Sequence, residues 1–169
     1  AAAVLLMKEE ECTHLGLTPI AQILGFASSA IDPAYMGLGP IPAVKKALKI
    51  AGISLDDVNL IELNEAFASQ AIACIRELRT SLDRTNIYGS GISLGHPIGC
   101  TGARVVVTLL HAMKRNNARY GLATMCIGGG QGMAMVFELA SSELHPKAWH
   151  ALYSYLSVNI LFNRVMFTC

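Results

Sequence analysis

Along the first 139 residues, the pattern of apolar and polar positions is typical of strands in some segments and of helices in the segments between them. Short runs of small and β-branched residues predict five strands, at 1–7, 21–30, 58–63, 121–127 and 133–139. Apolar residues at helical spacing predict helices at 8–15, 43–51, 64–79 and 101–115. A glycine-rich turn separates the last two strands, and it predicts that they form a hairpin.

This order of elements predicts an α/β layered domain, with a mostly parallel five-stranded mixed sheet flanked by helices. The hairpin adds one antiparallel strand. Ligands of such sheets bind beyond the carboxyl ends of the strands. Asn64 follows the third strand, Cys126 closes the fourth, and His96 lies on a loop before a helix. We therefore expect these three residues at one edge of the sheet.

Composition and charge narrow the class of protein. The 169 residues are enough for one domain, and they are 53% hydrophobic with a mean hydropathy of +0.44. That apolar content indicates a sheet covered on both faces or a large partner surface. The net charge is +1 without a basic block, which argues against nucleic acid. The five cysteines have no CxxC spacing, so neither a disulfide framework nor a zinc site is predicted, and a reducing intracellular compartment is favoured.

Residues 89–104 contain five glycines and a single histidine, His96. Their spacing fits neither a phosphate loop nor a dinucleotide fingerprint. Because His96 precedes a predicted helix, it lies where developing negative charge is stabilised. The alternative is a tight connection whose histidine only hydrogen-bonds its surroundings, and the residues alone give the two interpretations equal weight.

Three side chains carry candidate chemistry, each with a structural alternative. Cys126 is either a small buried hydrophobe or a thiolate near His96, and that pair suits acyl transfer or proton removal next to a carbonyl. Asn64 is either an oxyanion donor or the N-cap of the helix predicted at 64–79. Arg104 is near the start of a predicted helix, where a positive charge is unfavourable, so a carboxylate or carbonyl partner is expected. A structural pairing is favoured over a catalytic role.

Three motifs together resemble the thiolases, the acetyl-CoA acyltransferases. They are Asn-Glu-Ala-Phe at 64–67, Gly-His-Pro at 95–97 and Cys-Ile-Gly-Gly-Gly at 126–130, and the loop at 36–42 is also similar. The resemblance covers 1–139 and corresponds to the C-terminal half of the family's fold. It implies that His96 activates a nucleophilic cysteine, that Asn64 holds a water of the oxyanion site, that Cys126 moves the α-carbon proton, and that the Gly128 N–H serves a second oxyanion site.

The resemblance also implies substrates and partners. Met36 and Phe67 would line the acyl pocket, coenzyme A and acyl-CoA would be substrates, and neither a metal nor a bound cofactor is implied. The family's nucleophilic cysteine belongs to an N-terminal half that this sequence does not contain, so the chain is expected to need that half. The complete enzyme is expected to be a homo-oligomer in the cytoplasm or mitochondrion, with the peroxisome left open.

The composition changes after residue 140, which divides the chain into a thiolase C-terminal domain at 1–140 and an atypical extension at 141–169. Polar residues interrupt the apolar end of this extension and disfavour a membrane anchor: Asn159, Asn163 and Arg164. Two other functions stay open. One is a non-catalytic fragment that binds or regulates a thiolase half or oligomer. The other, a thiol–histidine metal or redox module, is disfavoured by the lack of paired ligand spacing.

Overall fold

The structure is a computed structural model, and it describes residues 1–140 together with the backbone of 165–168. Its strands are β1 (Leu5–Lys8), β2 (Ala21–Ala30), β3 (Leu60–Leu63), β4 (Tyr120–Gly128), β5 (Gln131–Leu139) and β6 (Val165–Thr168). Its helices are α1 (Glu9–His14), α2 (Pro40–Ala51), α3 (Ala68–Leu78), α4 (Gly91–Leu94) and α5 (Thr101–Asn116), with a 3-10 helix at Pro33–Leu38. The rest of the predicted extension, residues 141–164 and Cys169, lies outside the described residues, and so do the polar residues that argue against a membrane anchor.

The strands form one mixed sheet in the order β1-β6-β2-β5-β4-β3. The expected α/β layering and the β4–β5 hairpin are confirmed. The prediction that the sheet is mostly parallel is wrong, because in the described part of the chain only β3 and β4 pair in parallel. Strands β1 to β4 do run in one direction, but β5 and β6 run in the opposite direction and lie between them.

Two details of the predicted strands are also corrected. The described part of the sheet has six strands rather than five, because β6 inserts between β1 and β2. The strand predicted at 1–7 begins only at Leu5, and Leu5 and Leu6 are about half exposed. The reason is its place in the sheet: β1 is an edge strand that pairs only with β6.

Helices cover both faces of the sheet, which explains the high apolar content. Val136 packs in one core with residues of α2 and α3, whereas the next residue, Phe137, packs in a second core with residues of α5. This alternation follows from the two-residue period of a strand, which points successive side chains to opposite faces. Within the described residues, no helix has the length and apolar character needed to cross a membrane.

Candidate active site

Asn64 lies directly after β3 and is held by the neighbouring strand. Its backbone N–H donates to the carbonyl of Thr124 in β4 at 2.9 Å, so the β3–β4 pairing continues one residue beyond the strand. The residue has no exposed surface. The alternative role as helix N-cap is wrong, since α3 begins at Ala68 and Phe67 is its N-cap. The Asn64 side chain is therefore available for other contacts.

His96 meets Asn64, as the positions of the two motifs predicted. The loop that carries it leaves α4 through Gly95, whose φ of +96° is a conformation that favours glycine. The Nε2 atom of His96 lies 3.5 Å from Nδ2 of Asn64. On the other side of the ring, Nδ1 lies 2.6 Å from Oγ1 of Thr101, the first residue of α5. The imidazole is thus held on both edges, and Nε2 is on the Asn64 side.

A buried contact between Arg104 and Glu62 lies behind Asn64. Arg104 is 3.7 Å from the carboxylate of Glu62, which confirms the expectation that Arg104 has a carboxylate partner. Glu62 is only 2% exposed, and burial raises its pKa to about 8, although Arg104 lowers the pKa and Glu65 adds to the increase. Sequence reasoning did not identify Glu62. An acidic residue within the apolar strand Leu60–Leu63 was the available signal.

The glycine-rich stretch packs closely on the Asn64 motif. A Cβ atom at Gly91 would lie 2.6 Å from the carbonyl oxygen of Glu65, so only glycine allows this approach. The Glu65 carboxylate accepts hydrogen bonds from the Asn86 side chain at 3.0 Å and from the Ile92 N–H at 3.1 Å. These contacts connect the segment that precedes His96 to the segment that follows β3.

Cys126 and Gly128 lie at the end of β4, next to the end of β3. Cys126 is two residues beyond Thr124, is 5% exposed, and has its pKa raised by burial. Gly128 and the two glycines after it all have positive φ angles and form the turn of the β4–β5 hairpin. No hydrogen bond among the described residues joins Cys126 to His96. The structure therefore brings Asn64 and His96 into contact and positions Cys126 and Gly128 on the adjacent strand.

Met36 and Phe67 line one open pocket, as expected of neighbours in a binding site. The pocket has a volume of about 310 Å³ and is lined by Ala34, Tyr35, Met36, Gly37, Leu38, Phe67, Ser69 and Gln70. Met36 comes from the 3-10 helix and Phe67 from the start of α3. The pocket is mainly apolar, and the role of an acyl pocket stays a prediction.

The arrangement offers an amide donor, an imidazole and a thiol near the carboxyl ends of two parallel strands. An imidazole within hydrogen-bond reach of a reacting group can act as a base, and a buried amide can stabilise an oxyanion. Among the described residues, no group of three or more His, Cys, Asp or Glu side chains is arranged to hold a metal ion.

Comparison with known proteins gives one family. The model of the thiolase C-terminal domain matches residues 17–139. The chain is 52% identical over 139 residues to a 3-ketoacyl-CoA thiolase of Bacillus subtilis, covering 82% of this chain and 36% of the relative. It is 53% identical over 138 residues to an acetyl-CoA acetyltransferase of Escherichia coli, covering 82% and 35%.

Solved structures agree with the sequence relatives. The crystal structure of the Bacillus anthracis acetyl-CoA acetyltransferase matches with a TM-score of 0.78 and 46% identity, over 79% of this chain and 34% of that one. Human mitochondrial 3-ketoacyl-CoA thiolase matches with a TM-score of 0.77 and 43% identity, over 78% and 33%. The chain thus spans about a third of the length of these relatives. It belongs to the thiolase family and contains the family's C-terminal domain.

Proposed function

We propose that this chain supplies the acid/base and oxyanion groups of a thiolase that transfers acyl groups between CoA thioesters. The reaction is thiolysis of 3-oxoacyl-CoA or, in reverse, condensation of two acyl-CoA molecules. The contact between Nδ2 of Asn64 and Nε2 of His96, 3.5 Å apart, carries the proposal. It unites two residues that are 32 positions apart in the sequence and belong to two different family motifs.

The proposed roles divide the reaction between this chain and an N-terminal half. A cysteine of that half attacks the keto carbon of 3-oxoacyl-CoA, and Nε2 of His96 accepts the thiol proton. The bond between the α and β carbons then breaks, and the Cys126 thiol donates a proton to the departing acetyl-CoA enolate. A CoA thiol finally takes the acyl group from the cysteine and gives its proton to the Cys126 thiolate, while the released cysteine thiolate regains its proton from His96. The raised pKa of Cys126 supports its role, because a protonated thiol is the form that can donate.

Two oxyanion sites stabilise the negative charge in this scheme. Asn64 holds a water that completes the first site with His96, and the Gly128 N–H contributes to the second. Met36 and Phe67 line the acyl pocket, and the open, mainly apolar pocket that they share supports this role. CoA and acyl-CoA are substrates, with no metal or bound cofactor. We also propose that the complete enzyme is an intracellular homo-oligomer.

The test is a fusion protein. The N-terminal part of the Escherichia coli relative, up to the aligned region, is joined to this chain and assayed for thiolysis of acetoacetyl-CoA. We expect activity that is abolished in Cys126→Ala and His96→Ala and lowered about 10²- to 10³-fold in Asn64→Ala. The matched controls are Cys12→Ala in α1 and His111→Ala on the exposed side of α5, which should retain activity.

Two results would contradict the proposal. Thiolysis by the 169-residue chain without the fusion partner would mean that one of its own cysteines is the nucleophile. A folded but inactive fusion would favour the alternative, a non-catalytic fragment that binds or regulates a thiolase half or oligomer.

A further inference from the structure

We propose that Arg104 and Thr101 are positioning residues that hold His96 in the tautomer with a proton on Nδ1 and a free lone pair on Nε2. They do so through one chain of hydrogen bonds whose direction is determined at both ends. The chain runs from the Arg104 guanidinium through Asn64, His96 and Thr101 to the carbonyl of Pro97.

The first end of the chain can only donate. A guanidinium has N–H groups and no acceptor, so its neighbour must present a lone pair. Nη2 of Arg104 lies 3.5 Å from Oδ1 of Asn64 and 3.5 Å from Oγ of Ser90. The Ser90 hydroxyl donates to the Leu63 carbonyl at 3.2 Å, so it also accepts from Arg104. Arg104 therefore selects the Asn64 amide orientation that points Nδ2 toward His96.

The other end of the chain can only accept. The hydroxyl of Thr101 donates to the Pro97 carbonyl at 3.0 Å, so its oxygen presents a lone pair to His96. Nδ1 of His96 lies 2.6 Å from this oxygen, and because the hydroxyl proton is already donated to Pro97, Nδ1 must be the donor of this bond. At the opposite edge, an Asn64 N–H facing Nε2 also requires a lone pair on that nitrogen. Both edges of the ring specify the same tautomer.

This tautomer has a consequence for proton transfer. The basic nitrogen Nε2 is on the Asn64 side of the ring, while the nitrogen that already has a proton is turned to Thr101. In the opposite tautomer, Nε2 could not accept a proton. The buried carboxyl of Glu62 lies 3.7 Å from the same Arg104 guanidinium that faces Asn64. The catalytic meaning rests on the proposed function, whereas the tautomer itself does not.

The tautomer can be measured on the 169-residue chain by ¹⁵N NMR of ¹⁵N-histidine-labelled protein, at a pH where the ring is neutral. We expect His96 to show a protonated Nδ1, although free histidine in water favours the proton on Nε2. Thr101→Val should shift the population toward Nε2–H, and Thr101→Ser, which keeps the hydroxyl, should restore the wild-type signal. His96→Gln assigns the resonance.

The outcomes are separable. A wild-type His96 with its proton on Nε2 overturns the proposal, and an unchanged tautomer in folded Thr101→Val removes Thr101 from it. Arg104→Met deletes the donor and should release the Asn64 amide, whereas Arg104→Lys keeps a group that only donates. If Arg104→Met does not fold, the comparison of Arg104→Lys with the wild type and that of Thr101→Val with Thr101→Ser still decide the result.

Kinetics of the fusion protein supply the second readout. Thr101→Val and Arg104→Met should lower kcat about tenfold or more with KM changed by less than about threefold, because a misoriented or wrongly protonated imidazole impairs the chemical step. Thr101→Ser and Arg104→Lys should recover most of kcat. Wild-type kcat in both of the first variants would refute the positioning roles. An inactive wild-type fusion would instead refute the proposed function and leave the NMR result standing.

Discussion

Glu62 is a carboxylic acid with almost no access to water. Its exposed fraction is 2%, and its nearest charged partner is Arg104 at 3.7 Å. Removing a carboxylate from water disfavours its charged form, and this effect exceeds the attraction of Arg104, so the pKa rises to about 8. The folded protein therefore holds a proton on Glu62 at neutral pH that the unfolded chain has released.

The raised pKa predicts how stability depends on pH. Between about pH 4.5, the ordinary value, and about pH 8, the folded state binds one more proton at Glu62 than the unfolded state. The free energy of unfolding should therefore fall as pH rises through this window, by at most about 1.4 kcal/mol per pH unit. Glu62→Gln has no titrating group at this position, so urea unfolding of both proteins isolates the effect. A difference that stays constant from pH 5 to pH 8 would contradict the prediction.

Gly91 is the residue at which the glycine stretch touches the Asn64 motif. A Cβ atom there would lie 2.6 Å from the Glu65 carbonyl oxygen and 3.1 Å from Oδ1 of Asn64. Gly91→Ala should lower the free energy of unfolding by about 1–3 kcal/mol, since the backbone must move apart. The control is Gly102→Ala in α5, where the nearest atom would be 3.9 Å away and helix propensity favours alanine. Equal stability of the two variants would contradict the close approach.

At the scale of elements, the sequence patterns predicted which segments are strands and helices more accurately than they predicted which strands lie next to each other in the sheet. The apolar run at 133–139 predicted a strand, and the glycines before it predicted the hairpin with β4. Nothing in either segment indicates that β5 lies between β4 and β2, which is why the sheet was expected to be mostly parallel. The start of α3 was misplaced for a local reason. Asn64 is a good N-cap residue, but the pairing of its backbone with β4 extends the strand geometry past it.

The site shows the same division between local and distant information. The motifs predicted Asn64, His96 and Cys126, and the parallel β3–β4 pair explains why Asn64 and Cys126 are neighbours in the sheet. The contact of Thr101 with His96 and that of Arg104 with Asn64 were not predicted. Both depend on how α5 is placed against the sheet, and the periodicity of a helix does not specify that placement.

The end of α3 offers a prediction at the element scale. Its C-cap, Arg79, is exposed and has a φ of +55°, a left-handed conformation that costs a residue with a side chain about 1 kcal/mol. Arg79→Gly should therefore raise the free energy of unfolding by about 0.5–1 kcal/mol. Arg79→Ala removes the same side chain but keeps the strain, so it should leave stability nearly unchanged. Chemical unfolding of the three proteins measures this, and equal effects of Gly and Ala would show that backbone strain is not the cause.

At the scale of the whole molecule, one sheet separates two apolar cores. Ile61, Leu122 and Val136 face the core shared with α2 and α3, whereas Leu60, Ala123 and Phe137 face the core shared with α5. Adjacent residues of the same strand thus belong to different cores. Loss of packing in one core must disturb strands whose other side chains belong to the second core. The described domain is therefore expected to unfold as one cooperative unit.

Substitutions of two neighbouring residues test this coupling. Val136→Ala removes volume from the first core and Phe137→Leu from the second, and neither side chain has exposed surface. Each should lower the free energy of unfolding by about 1–3 kcal/mol. Because both residues lie on β5, which pairs with β2 and β4, each variant should shift the whole transition without dividing it. Calorimetry together with hydrogen exchange of α2 and α5 distinguishes a single cooperative transition from separate unfolding of the two cores. If Phe137→Leu speeds exchange only in α5 and Val136→Ala only in α2, the two layers unfold separately and the sheet does not couple them.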